Sequence, residues 1–111
     1  MEATGFTIEY HTETIEFTNG LKAKLEKRLE KLAGRHRDIT GASMAVHSIS
    51  GANRHPEYKV RLVLYRRPDN IAAVRKADTV SNAVLEALDA IERQVREQRE
   101  RQRERNRVRR R

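Results

Sequence analysis

Residues 58–77 read YKVRLVLYRRPDNIAAVRKA. In residues 58–66, Tyr58, Val60, Leu62 and Leu64 fall on one face, and Lys59, Arg61, Val63 and Tyr65 on the other. A two-residue period marks a strand, because successive side chains of extended backbone point to opposite sides. RRPDN is turn chemistry: proline presets one backbone angle, and Asp and Asn bond readily to nearby backbone. IAAVRKA, residues 71–77, is expected to be a short strand. The centre of the molecule is therefore a sheet, and the rest of the chain must cover it.

Toward the C-terminus, Asp78 or Thr79 is placed to cap a helix. Val80, Val84, Ala87, Leu88, Ile91 and Val95 recur at helical spacing as its apolar stripe. The same row continues as Gln98 and Gln102, so the helical pattern outlasts the core face. The helix is expected to leave the body near residue 96; helical to about residue 105, it would span roughly 40 Å at 1.5 Å per residue. Toward the N-terminus, GANRHPE (51–57) is a turn and ASMAVHSIS (42–50) a weakly alternating strand. Before it, in IEFTNGLKAKLEKRLEKLAG (15–34), Thr18 can cap a helix whose stripe is Leu21, Leu25, Leu29 and Leu32, and Gly34 is expected to stop it. GFTIEYH (5–11) alternates Phe6, Ile8 and Tyr10 against Thr7, Glu9 and His11. The order is β-α-β-β-β-α, expected as an α+β two-layer sandwich, both helices on one face of a four-stranded, mostly antiparallel sheet.

At 111 residues the chain is one domain with an appendage. It has no cysteine, hence no disulfide or thiolate chemistry, and no apolar run near the roughly 20 residues of a membrane span. MEATGFTIEY carries an acid where a secretory signal carries positive charge. The net charge of +8 is unevenly placed. Residues 99–111 hold eight arginines and two glutamates, and the other 98 residues 16 basic and 14 acidic groups. We divide the chain into a body, 1–98, and an Arg-rich extension, 99–111.

His11, His36, His47 and His55 have no spacing that completes a metal set, and Ser48 and Ser50 lack an obvious base. There is no Gly-rich phosphate loop. The chain reads as a non-enzyme with no cofactor and no small-molecule substrate. Charge speaks more clearly. The first helix carries Lys22, Lys24, Lys27, Arg28 and Lys31 against Glu26 and Glu30; the second turns basic at Arg93, Arg96, Arg99 and Arg101. Either face alone could be a solvated surface. On one side of a sheet, the two would form one continuous basic ridge suited to the backbone of structured RNA, which is recognised by shape, phosphate and 2′-hydroxyl. The few aromatics offer no base-stacking platform. Past Val95 the only apolar residue is Val108, too little to anchor a membrane-lying helix. Arg103, Arg105, Arg107, Arg109, Arg110 and Arg111 are expected to add phosphate contacts, since guanidinium binds phosphate bidentately.

Ile15, Glu16, Phe17, Thr18, Leu21, Lys22, Arg28, Leu29, Lys31 and Leu32 resemble the first-helix region of the ribosome hibernation-promoting factors, also called ribosome-associated inhibitor A or sigma-54 modulation proteins. Arg93, Gln94, Val95, Arg99 and Arg101 are similar to that family's second helix, and the element order agrees over about residues 5–101. The resemblance implies a double-stranded-RNA-binding-domain-like fold. It also implies binding in the mRNA/tRNA channel of the small ribosomal subunit; we expect a cytoplasmic monomer that acts on the 30S subunit or 70S ribosome. Lys22, Arg28, Lys31, Arg93, Arg96, Arg99 and Arg101 would contact 16S rRNA. The chain departs from the family at 79–85, where Thr79 to Leu85 stand in place of Asp-x-Tyr-Ala-Ala-Ile-Asp, and at Glu97, where a basic residue is common. The dimerisation domain of the long forms is absent, so ribosome dimerisation through this chain is not expected. The rival expectations are a general structured-RNA binder of the same fold and a protein-interaction module for an acidic partner.

Overall fold

The computed structural model describes residues 6–12, 17–49, 56–67 and 69–109. The chain runs β1 (Thr7–Thr12), α1 (Asn19–Arg35), β2 (Ile39–Ser48), β3 (Tyr58–Arg66), β4 (Ile71–Ala77) and α2 (Val80–Arg109). The strands form one sheet in the order β1-β2-β3-β4. β1 and β2 are parallel, which requires a crossover, and α1 supplies it. β2 with β3, and β3 with β4, are antiparallel. The α+β sandwich expected from the pattern is the one found.

Burial follows the alternation. Ala42, Met44 and Val46 of β2, Val60, Leu62 and Leu64 of β3, and Ile71 and Ala73 of β4 are all buried. They meet Leu21, Leu25 and Leu29 of α1, and Val80, Val84, Leu88, Ile91 and Val95 of α2. α2 lies on β3 and β4, and α1 packs on β2 and against α2. Among the described residues nothing packs over the opposite sheet face; it carries Arg61, Ala72 and Lys76, and Val74 there is 41% exposed.

Both helix starts follow the capping logic. Thr18 Oγ1 accepts the Leu21 amide at 3.2 Å. Of the two candidates for the second cap, Thr79 takes the role, its Oγ1 accepting the Asn82 amide at 3.0 Å. Gly34, however, does not stop α1, which runs on to Arg35 and ends at His36. A Cβ at Gly34 would meet nothing within 4 Å, so nothing local distinguishes that position from the rest of the turn. β2 begins at Ile39, three residues before the weak alternation at 42–50 suggests. A register irregularity between Ile39 and Gly41 hides the period there. At Gly41 a Cβ would lie 2.9 Å from the Thr7 carbonyl oxygen, so β1 closes on β2 only across a glycine. α2 spans 30 residues, about 45 Å, longer than expected.

β1 is an edge strand and is pinned by Tyr10. Its ring packs on Phe17 with centroids 5.7 Å apart, and its hydroxyl donates to Glu26 of α1 at 2.6 Å. Burial, then the Glu26 carboxylate, push the Tyr10 phenol well above its ordinary value.

Candidate nucleic-acid interface

At 3.6 residues per turn, Lys24, Lys27, Lys31 and Arg35 share a stripe of α1 turned away from the leucines. All four are exposed. Lys22 and Arg28 lie on opposite flanks of the leucine stripe and are held within the fold. The Lys22 ammonium sits 4.8 Å from the centroid of the Tyr10 ring, a cation–π contact. Arg28 faces α2: its Nε and Nη2 donate to the two Glu92 carboxylate oxygens at 3.1 and 2.6 Å, and Nη2 also to Asp89 at 2.8 Å. The Glu92 hydrogen bond raises the Arg28 pKa further, so the guanidinium stays charged at any pH of interest.

That clamp corrects the continuous ridge expected from the sequence. Glu86, Asp89 and Glu92 mix with Arg75, Arg93 and Arg96 in a shallow groove along the first half of α2, where the charges largely cancel. The surplus positive charge gathers at the C-terminal ends of the helices. There Lys31 and Arg35 of α1 oppose Arg96, Arg99 and Arg103 of α2 across a groove of about 680 Å³, with Leu32 and Val95 also in its lining. Glu92 and Glu100 are its only acids among the lining residues, and Glu92 already engages Arg28.

α2 does not leave the body cleanly at residue 96. Arg99 pairs with Asp38 just before β2, and a second groove of about 630 Å³ opens on the other side of the helix. Arg66, which ends β3, and Arg67 of the β3–β4 turn line it with Arg101 and Arg105 of the extension. Gln98 Oε1 and Arg99 Nε are buried there without a hydrogen-bond partner among the described residues. Burial first, then Arg99 and Arg35, lower the pKa of His36 beside this junction, with Asp38 opposing, so the imidazole is neutral at pH 7.

The expected site residues thus fall into five groups. Lys31, Arg96, Arg99 and Arg103 converge on the groove between the helices. Arg101 and Arg105 face the turn, and Arg93 lies in the mixed groove. Lys22 and Arg28 serve internal contacts, Arg28 from within the lining of the groove between the helices. Arg107 pairs with Glu104 at 3.2 Å and Arg109 ends α2, while Arg110 and Arg111 lie outside the described residues. Sequence reasoning missed Arg35, Arg66 and Arg67. Arg35 sat beyond the presumed helix stop, and the paired arginines of RRPDN were read only as turn. Among the described residues no group of three His, Cys, Asp or Glu could hold a metal ion, and no helix is long and apolar enough to cross a membrane.

Fold and site together define a small α+β domain with its positive charge massed where two helices and one sheet turn meet. The chain belongs to the sigma 54 modulation protein / S30EA ribosomal protein family, whose model matches residues 8–103. Its fold is similar to that of a ribosomal subunit interface protein from Coxiella burnetii, with a TM-score of 0.66 at 16% identity, covering 84% of this chain and 97% of that one. It is also similar to the N-terminal domain of Protein Y from Thermus thermophilus, with a TM-score of 0.58 at 20% identity, covering 81% of this chain and 91% of that domain. No curated protein matches the sequence.

Proposed function

We propose that this protein binds the small ribosomal subunit in the mRNA/tRNA channel and holds idle ribosomes out of translation. The observation that carries the reading is the groove in which Lys31, Arg35, Arg96 and Arg103 converge, on a chain of this family. Phosphates of 16S rRNA suit it: guanidinium and ammonium groups position a backbone without reading sequence. The body, residues 1–98, provides shape, and the extension from 99 adds phosphate contacts. Arg93, Arg99 and Arg101 are secondary contacts; Arg28 and Lys22 act through the fold. The protein works as a cytoplasmic monomer with no cofactor, small-molecule substrate or reaction. With about six phosphates neutralised, log affinity falls against log salt with a slope near about −5.

Sucrose-gradient co-sedimentation tests this, with wild type and a version ending at Gln98, at low and moderate salt. Wild type travels with 30S and 70S particles and not with bulk tRNA, and the truncation loses part of that binding at moderate salt. Protein left at the top of the gradient overturns the reading. Protein spread over every RNA offered replaces it with a general structured-RNA binder.

A further inference from the structure

Arginine occupies every second position from 99 to 109. On a helix each step of two turns the side chain by about 200°, so alternation produces two opposed stripes: 99, 103 and 107 on one side, 101, 105 and 109 on the other. The fold gives each stripe its own wall. Arg99 and Arg103 complete the groove against α1, and Arg101 and Arg105 complete the groove against the β3–β4 turn.

The two grooves differ in chemistry. The one against α1 includes Leu32 and Val95. Every described residue lining the one against the turn is polar or charged. Its described side chains offer a protein partner no apolar residue for the centre that stable protein interfaces require; a phosphate backbone requires none. Of its two acids, Asp38 is already neutralised by Arg99, leaving Asp69 against Arg66, Arg67, Arg101 and Arg105. Arg67, Arg101 and Arg105 are exposed.

We propose that the groove between the β3–β4 turn and the α2 extension is a second RNA-backbone site, separate from the groove between the helices. α2 would then run between two RNA strands and hold both. The proposal deepens the ribosome reading by naming a second contact surface, and it rests on that reading for its natural target.

The test compares three variants, each losing three positive charges: R67Q/R101Q/R105Q in the turn groove, K31Q/R35Q/R103Q in the helix groove, and K59Q/R61Q/K76Q on the open sheet face. Affinity is measured against salt on 30S subunits and, in parallel, on a 30-base-pair RNA duplex, after thermal melts show that all variants fold. Each phosphate contact contributes about 0.7–0.9 to the slope, so the turn-groove variant becomes shallower by about 2 and binds at least about tenfold more weakly. The sheet-face variant, which alters only the general field, changes the slope by less than about 1. Hydroxyl-radical footprinting on the 30S subunit shows two separated protections, one lost with each groove variant. A turn-groove variant indistinguishable from the sheet-face variant overturns the second site. If wild type ignores 30S but binds the duplex, the ribosome reading fails and the slopes on duplex decide the groove. Binding to neither overturns both.

Discussion

Arg28 looks from the sequence like a prime RNA contact, yet the structure makes it the fastener between α1 and α2, and the two roles predict opposite results. Arg28 and Glu92 are each 31% exposed and share a two-pronged bond, whereas Asp89 is 71% exposed. The Asp89 contact, largely in water, contributes a few tenths of a kcal/mol. The half-buried, charge-assisted bond to Glu92 contributes about 1–2 kcal/mol after solvent screening. Arg28→Gln also leaves Asp89 and Glu92 facing each other one turn apart, which costs a few tenths more. The total of about 1.5–2.5 kcal/mol lowers Tm by about 6–11 °C in a chain of this size. Circular-dichroism melts of R28Q, E92Q and the double variant measure it, with a coupling energy near about 1 kcal/mol expected from the cycle. RNA binding moves differently. R28Q leaves the salt slope unchanged, and E92Q, which removes an acid from the groove and frees Arg28, binds RNA more tightly although it melts lower. An R28Q variant with wild-type Tm and a slope as shallow as that of Lys31→Gln would refute the clamp.

Other consequences are equally direct. Gly41→Ala drives a methyl to 2.9 Å from the Thr7 carbonyl, so it costs about 1–3 kcal/mol and speeds hydrogen exchange in β1 ahead of the rest of the sheet. Tyr10→Phe loses the bond to Glu26 and costs about 1–2 kcal/mol in chemical denaturation near neutral pH. Because the folded phenol titrates above its ordinary value, its contribution is intact below about pH 10 and fades above it, so wild type and variant converge in alkaline denaturation. His36 titrates below its ordinary value, so its neutral form suits the fold; stability is full above about pH 6.5 and declines as pH falls toward the folded pKa. His36→Gln flattens that decline in melts between pH 7 and 5, and NMR titration of His36 shows its pKa rising when RNA phosphate occupies the groove beside Arg35 and Arg99.

Much of the fold was legible because its determinants are local. Alternation in 58–66 and the stripe from Val80 to Val95 each record which side of one element faces the core, and Thr18 reaches only three residues ahead. The site was legible as charge and illegible as geometry. Lys31, Arg96 and Arg103 could be named as basic, but the sequence counts a lysine stripe and an arginine stripe without their partners. Glu92 lies 64 residues from Arg28, and Asp38 lies 61 from Arg99. No local pattern joins residues so far apart.

By itself the sequence determined the number, order and kind of the elements, the inward faces of both helices, and the excess of arginine at one end, because period, capping and composition act within a few residues. Tertiary structure alone decided which of those charges remain available. Packing α1 against α2 brings Asp89 and Glu92 to Arg28, and folding the β3–β4 turn beside α2 brings Arg66 and Arg67 to Arg101 and Arg105. Charge is a property of residues, but a binding surface depends on the distances between them, and those are set only when the helices and the sheet turn come together.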